Sequence, residues 1–155
     1  MNADEIDMRS EMPILARHEG TWEGTYIEVD PNAEVIDRFD SRLTCQFPEE
    51  GEHPYVQTNR YEWPDGTVQE IGFPAQYDGT KLHWNNERIK GKAWEVEQDD
   101  RTVMLSWTRK DIPGSVFYEM IQINDDDDFR ARTWHWFKEG ELFKRTLIEE
   151  RRVDG

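Results

Sequence analysis

Apolar and polar residues alternate along most of this chain, and the alternation begins at residues 20–26. Trp22 and Tyr26 fall on one side of an extended chain together with two glycines, while threonine and glutamate fall on the other. Gly20 and Gly24 leave room for a neighbouring backbone beside the indole, which a strand needs where a small sheet curls into a barrel. Residues 20–26 therefore predict the first strand of a barrel.

Similar strand-like segments follow, separated by turn signals such as Asp30-Pro31-Asn32, Asp65-Gly66 and Glu139-Gly140. Their spacing of roughly 8–12 residues, with no helical pattern between them, is typical of an all-β sandwich or of an up-and-down barrel joined by hairpins. We predict an all-β fold, an antiparallel up-and-down β-barrel of about ten strands. The predicted strands after the first lie at residues 35–45, 55–63, 68–77, 81–85, 92–97, 102–109, 115–124, 129–138 and 141–153.

The N-terminal segment has a different pattern. Residues 4–18 carry apolar side chains among charges, with Pro13 interrupting them, and this predicts a short helix or helical turn that closes one end of the barrel. We expect a helical lead-in over residues 1–19 and a single β-barrel domain over residues 20–155. The acidic start lacks the features of a signal peptide, and no stretch approaches the roughly 20 apolar residues of a spanning helix, so we expect a cytoplasmic protein.

Composition restricts the partners. Only 35% of the residues are hydrophobic, but seven are tryptophan, so the core must consist of few, large side chains. The chain carries 34 acidic and 19 basic residues, a formal charge of −15, which repels nucleic acid and anionic membrane surfaces. We expect neither as a partner. Composition does not determine the oligomeric state, and a homodimer is left open.

Motifs for cofactors and metals are missing from the sequence. It contains no Gly-x-Ser-x-Gly elbow, phosphate loop or Cys-x-x-Cys pair, and its four histidines lie far apart. The acidic run at residues 125–128 lacks the ligand spacing and the glycine of a calcium loop, so we interpret it as a solvated hairpin tip. Cys45 has no second cysteine to pair with and is predicted to be a small buried strand residue. We expect no metal and no cofactor.

Two segments carry a family resemblance. His18-Glu-Gly-Thr-Trp22-Glu-Gly-Thr-Tyr26 resembles the Gly-x-Trp signature of the calycin superfamily, which includes lipocalins and fatty-acid-binding proteins. Together with Arg145-Thr-Leu-Ile-Glu-Glu-Arg-Arg152 it is similar to an uncharacterised bacterial lipocalin-like family of unknown function. The resemblance implies a barrel whose Trp22 lies at the closed end beneath a basic residue of the last strand. Arg145, Arg151 and Arg152 are all candidates for that residue.

A second group with a similar opening is the haem-binding nitrobindins, ten-stranded barrels that begin with Gly-x-Trp-x-Gly. Those proteins ligate haem through a histidine near the C-terminus. This chain has no histidine after His135, which we interpret as a surface residue.

The hairpin around Glu139-Gly140 suggests where a ligand could bind. A two-residue turn pairs Lys138 with Glu141, and counting on from there places Trp136 opposite Phe143, Trp134 opposite Arg145, Arg132 opposite Leu147 and Arg130 opposite Glu149. If this face points inward, the arginines stand in an aromatic cavity suited to an apolar molecule with a carboxylate or phenolate. Alternatively, the indoles fill a small core and the arginine stems extend to its rim.

The Asp65-Gly66 hairpin gives a second polar face. The same counting groups Gln57, Asn59, Tyr61 and Glu70 with Trp63 and Val68, which is either a polar cavity lining or a solvated face.

These patterns lead to three functional hypotheses. The first is binding of a small hydrophobic or aromatic, anionic ligand inside the barrel. The second is a cofactor-free lyase or isomerase that uses Tyr61 or Glu119 as acid or base. The third is haem binding of the nitrobindin kind. Within the first hypothesis Trp22 is interpreted as a structural residue of the closed end, and the full set of ligand-binding candidates is Trp22, Tyr26, Asn59, Tyr61, Arg132, Trp134, Trp136 and Arg145.

Overall fold

The computed structural model describes residues 8–153, which form a closed antiparallel barrel of ten strands. Each strand pairs with its neighbours in the chain, and β1 closes the barrel by pairing with β10. The predicted up-and-down barrel is therefore confirmed. The strands are β1 Gly20–Val29, β2 Val35–Gln46, β3 Tyr55–Glu62, β4 Val68–Tyr77, β5 Leu82–Asn85, β6 Ile89–Glu95, β7 Thr102–Arg109, β8 Ser115–Ile123, β9 Phe129–Lys138 and β10 Glu141–Val153.

Two short helices, α1 Met8–Glu11 and α2 Pro13–Ala16, precede the barrel. Pro13 opens α2, where its missing N–H has no helical partner to lose. The predicted helical segment began at residue 4, and its first part lies outside the described residues. Neither helix has the length or the apolar character needed to cross a membrane.

The helices cover one end of the barrel. The Leu15 backbone N–H donates to Glu95 Oε2 at 2.7 Å, and Arg17 donates to Asp127 Oδ1 at 2.7 Å and to the Asn124 carbonyl at 2.8 Å. These contacts attach the helical segment to the β6–β7 and β8–β9 sides of the barrel. We call this the closed end. The opposite end, which carries the β1–β2, β3–β4, β5–β6, β7–β8 and β9–β10 turns, is called the mouth.

Trp22 is fully buried beside the closed end. Its Nε1 donates to the His18 carbonyl at 3.0 Å, and the guanidinium carbons of Arg130 and Arg152 each lie 4.5 Å from the indole ring centroid. Of the three arginines that the sequence left open, Arg152 is therefore the residue of the last strand that covers Trp22.

Two smaller predictions are also confirmed. Cys45 is buried in β2. Residues 125–128 form the tip between β8 and β9, where the Asp125 side chain is exposed.

The predicted register of β9 and β10 is correct only at the turn. Lys138 pairs with Glu141 and Phe137 with Leu142, as expected, but Phe143 is then an extra residue and Lys144, not Phe143, pairs with Trp136. Beyond this bulge every predicted pair is wrong by one position, because one inserted residue exchanges the two faces of a strand. The observed partners are His135 for Arg145, Trp134 for Thr146, Arg132 for Ile148 and Arg130 for Glu150.

The predicted face of β3 is correct, but its partners on β4 are not. The Trp63 N–H donates to the Thr67 carbonyl at 2.9 Å, so the turn contains three residues, with Gly66 at a φ of 90°. This pairs Tyr61 with Gln69 and Glu62 with Val68. Val68 and Glu70 consequently face the exterior. The predicted grouping of these two residues with Trp63 on one face is wrong.

Candidate functional site

A cavity of about 620 Å³ lies inside the barrel and extends toward the mouth. Residues of the β5–β6 and β7–β8 turns, Arg88 and Asp111, contribute to its rim. This volume falls within the range of roughly 300–1,000 Å³ that is usual for small-molecule sites. The aromatic residues that line it are Tyr26, Phe39, Tyr61, Trp63, Phe73, Trp84, Trp107, Phe117, Trp134 and Trp136.

Trp134 stands at the centre of the aromatic wall. Its ring meets Tyr26 edge-on at 5.7 Å and Trp107 edge-on at 5.3 Å, and the Trp136 ring lies 6.0 Å away. Edge-to-face contacts of this kind hold the rings in fixed orientations. The wall is therefore a preformed apolar surface.

A row of polar side chains follows β3 along another wall. Tyr55 donates its hydroxyl proton to Gln57 at 3.2 Å, Gln57 donates to Asn59 at 2.9 Å, and Asn59 donates to the Tyr61 hydroxyl oxygen at 2.7 Å. Alternate residues of one strand share a face, so these four side chains line up along the interior. Because the Tyr61 oxygen accepts the last bond, its own proton can be donated to a further acceptor.

A buried ion network forms the floor of the cavity. Arg132 donates from Nε to Glu150 Oε1 at 2.8 Å, from Nη1 to Glu119 Oε2 at 2.9 Å, and from Nη2 to the Tyr26 hydroxyl. Arg130 lies on the closed-end side of this network and donates from Nε to the same Glu150 oxygen at 2.8 Å. Two arginines and two glutamates thus share one buried region, which balances the charge when all four are ionised.

The two glutamates have opposite pKa shifts. Burial raises the pKa of Glu119, and the nearby Arg132 only partly counters this effect. Burial also acts to raise the pKa of Glu150, but the attraction of Arg130 and Arg132 outweighs it and leaves this pKa lowered. Burial raises the pKa of Tyr26 and of Tyr61, so both phenols keep their protons at neutral pH. Of the two glutamates, Glu119 is therefore the one whose protonated form is favoured by its surroundings.

The structure brings most of the predicted site residues together. Trp22 and Arg145 are not among the lining residues: Trp22 packs at the closed end, and the bulge turns Arg145 toward the exterior beside His135. Glu119, named in the enzymatic hypothesis, also lines the cavity. The six ligand-binding candidates that line it are Tyr26, Asn59, Tyr61, Arg132, Trp134 and Trp136.

Sequence reasoning missed Lys144 and Trp107, which line the cavity, and Glu150, which anchors its floor. Trp107 of β7 pairs with Phe117 of β8, and their rings stack at 5.2 Å. Each residue lies on the inward face of its strand, so the alternation of apolar and polar residues could have identified this pair. Lys144 and Glu150 could not be found in this way, because their orientation depends on the bulge.

The histidines lie elsewhere. His18 is buried at the closed end, His135 pairs with Arg145 on the outer face, and neither they nor His53 and His83 line the cavity. Within residues 8–153 no cluster of three or more His, Cys, Asp or Glu side chains could hold a metal ion.

Comparison with known proteins identifies a family and a fold. The model of a domain of unknown function, the DUF3598 N-terminal domain, matches residues 8–155. No curated protein sequence matches the chain.

The solved structures with this fold are distant in sequence. A protein of unknown function from the DUF3598 family of Nostoc punctiforme is 18% identical, with a TM-score of 0.67 over 90% of this chain and 49% of its own, so this chain spans about half of that protein. The S-type phycobiliprotein lyase CPES from Guillardia theta is 14% identical, with a TM-score of 0.70 over 92% of both chains. The barrel EF1p2_mFAP2b, solved bound to DFHBI, is 12% identical, with a TM-score of 0.50 over 92% of this chain and 99% of its own.

Proposed function

The chain belongs to the DUF3598 family, which is defined by a domain of unknown function, and we propose that its barrel binds a small hydrophobic or aromatic, anionic molecule. The observation that carries this proposal is the cavity of about 620 Å³, whose aromatic wall includes Trp134 and Trp136 and whose floor is polar. A filled barrel core would leave no such volume, since protein interiors are packed without large voids.

The apolar and the polar residues of the lining have different roles in binding. The aromatic wall offers apolar surface, and burial of such surface supplies most of the binding free energy of a small ligand. The polar row of β3 fixes the orientation of the ligand, because a buried polar group that lacks a partner is costly. Two structures of similar fold agree with this use of a barrel: one is a phycobiliprotein lyase, and the other was solved with DFHBI bound.

Titration with 1-pyrenebutyrate, followed by tryptophan-to-pyrene energy transfer, tests the proposal. We expect saturable binding at one site per chain, in the cavity of the barrel. Energy transfer should report this binding, because Trp107, Trp134 and Trp136 line the cavity. Fatty acids, phenolic acids and linear tetrapyrroles should then compete to different degrees and thereby define the ligand class. Trp134→Ala, which removes the centre of the wall, should weaken binding by about tenfold or more. Absence of saturable binding by all four compound classes would rule the proposal out.

A second function, a cofactor-free lyase or isomerase, is favoured by one observation. The buried Glu119 carboxyl has a raised pKa and lines the same cavity as the Tyr61 hydroxyl. A carboxyl transfers protons efficiently near neutral pH when its pKa is shifted toward neutrality. If the barrel is an enzyme, Glu119→Gln and Tyr61→Phe must abolish turnover of a bound compound while the fold persists. Haem binding has no such support, because no histidine lines the cavity.

A further inference from the structure

The floor of the cavity is a poor place for the anionic group of a ligand. Arg132 already contacts Glu150, Glu119 and the Tyr26 hydroxyl. The Arg132 side chain is 2% exposed and that of Glu150 is 0% exposed, so neither partner can turn to water when a ligand arrives. A third carboxylate at this place would add a buried negative charge to a region where two glutamates already pair with the two arginines.

The mouth has cations in a different setting. Lys144 Nζ lies 3.8 Å above the Trp136 ring centroid, and the Arg109 guanidinium carbon lies 5.7 Å from the same centroid. Lys144 pairs with Glu28 at 2.8 Å, and Arg109 pairs with Asp111 at 2.6 Å. All four residues line the cavity. The Lys144 and Glu28 side chains are 19% and 12% exposed, so water reaches this pair more than it reaches the floor, where Arg132 and Glu150 are 2% and 0% exposed.

The bulge in β10 is what places Lys144 there. Regular pairing from the turn would put Phe143 opposite Trp136 and turn Lys144 outward, whereas the extra residue puts Lys144 opposite Trp136. Bulges frequently re-aim a side chain beside a functional site. An ammonium group has three donors, and the bond to Glu28 uses one of them.

We infer that Lys144 is the residue that binds the anionic group of the ligand, at the mouth and with the support of Arg109. The ligand class is thus an amphiphilic carboxylate whose acid group stays at the rim while its apolar body lies against the aromatic wall. Glu28 holds Lys144 in place when the ligand is absent and competes with the ligand for it. This inference rests on the proposed function and adds the orientation of the ligand to it.

The test compares 1-pyrenebutyrate with 1-pyrenebutanol, which has the same ring system and chain length but no charge. Lys144→Gln should weaken binding of the carboxylate about tenfold, the value of one charge-assisted hydrogen bond, and leave binding of the alcohol unchanged. Lys144→Arg should restore most of the lost affinity. Glu28→Gln should tighten binding of the carboxylate roughly two- to fivefold, because it removes the competitor.

Arg145→Gln is the matched variant, since it removes a cation one residue away on the outer face. It should change neither affinity, and thermal unfolding should show that both glutamine variants fold. Weaker carboxylate binding by Arg145→Gln but not by Lys144→Gln would overturn the inference, and so would equal losses for the carboxylate and the alcohol. If neither compound binds the unmodified chain, the proposed function itself fails; if both bind but no variant discriminates between them, only the orientation is wrong.

Discussion

At the scale of single residues, Trp22 has a structural role that is separate from the site. It is fully buried, its indole N–H donates to the His18 carbonyl, and it does not line the cavity. Arg130 and Arg152 lie at equal distances from its ring and add cation–π attraction. The tryptophan of the Gly-x-Trp motif therefore stabilises the closed end.

Trp22→Ala should lower the free energy of unfolding by about 3–5 kcal/mol, because it leaves a large cavity in a packed region. Urea unfolding measures the loss, and 1-pyrenebutyrate titration under native conditions should give an unchanged affinity. Trp22→Phe keeps an aromatic ring and loses the indole hydrogen bond, so its cost should be smaller. A variant that binds poorly but unfolds like the unmodified chain would place Trp22 in the site after all.

At the scale of strands, the seam between β1 and β10 depends on Gly24. This glycine pairs with Glu150, and a Cβ atom placed on it would lie 1.9 Å from the Glu149 carbonyl oxygen. No side chain can be accommodated there without moving one strand away from the other. The same seam carries Glu150 into the floor network, so the close approach at Gly24 also positions the site.

Gly24→Ala should destabilise the barrel by about 1–3 kcal/mol or more, the usual cost of overpacking. Gly72→Ala is the matched control, because a Cβ on Gly72 meets no atom within 4 Å and Gly72 does not have a positive φ. The control should be neutral or stabilising by a few tenths of a kcal/mol. Chemical denaturation of both variants measures the difference, and equal stabilities would show that the seam can yield.

The β9–β10 hairpin shows why strand faces were harder to predict than strands. The Glu139-Gly140 turn was predicted correctly. Both residues have the positive φ that such two-residue turns require, and glycine adopts this conformation readily. Nothing in the sequence marks Phe143 as an extra residue, since a bulge reflects how the two strands pack around the barrel. Because of the bulge, Lys144 and not Arg145 faces the interior, and Glu150 lies beside Arg130 and Arg132.

At the scale of the whole molecule, His18 connects the segment that follows the helices to the barrel wall at the closed end. His18 Nδ1 accepts a hydrogen bond from Arg130 Nη1 at 3.0 Å, which requires a neutral imidazole. Burial lowers the pKa of His18 well below its usual value, and the positive charges of Arg130, Arg152 and Arg17 lower it further. Protonation of His18 therefore opposes folding.

This shift predicts a loss of stability on mild acidification. The unfolded chain protonates His18 near pH 6.5 while the folded chain does not, so the free energy of unfolding should fall as the pH drops below about 6.5, by up to about 1.4 kcal/mol per pH unit. The loss ends once the pH passes the lowered folded pKa. Urea unfolding between pH 7.5 and 5 measures it, with His18→Gln as the reference that lacks this titration. Identical pH dependence in the two proteins would contradict the assignment.

The sequence by itself determined the class of fold, the number of strands and most of their limits, because alternation and turn chemistry are local properties of the chain. It also identified Tyr26, Asn59, Tyr61, Arg132, Trp134 and Trp136, which the structure gathers around one cavity. Those residues precede the bulge or lie on strands with regular pairing.

Only the tertiary structure decided which side chains of β10 face inward and whether the barrel encloses space. Barrel closure brings β1 against β10 and leaves a cavity where close packing would have filled a core. The bulge in β10 aligns Arg130 and Arg132 with Glu150. Barrel closure depends on contacts between residues more than 100 positions apart, such as Arg132 with Tyr26. No local pattern encodes such contacts, and for this reason Lys144 at the mouth became visible only in the folded barrel.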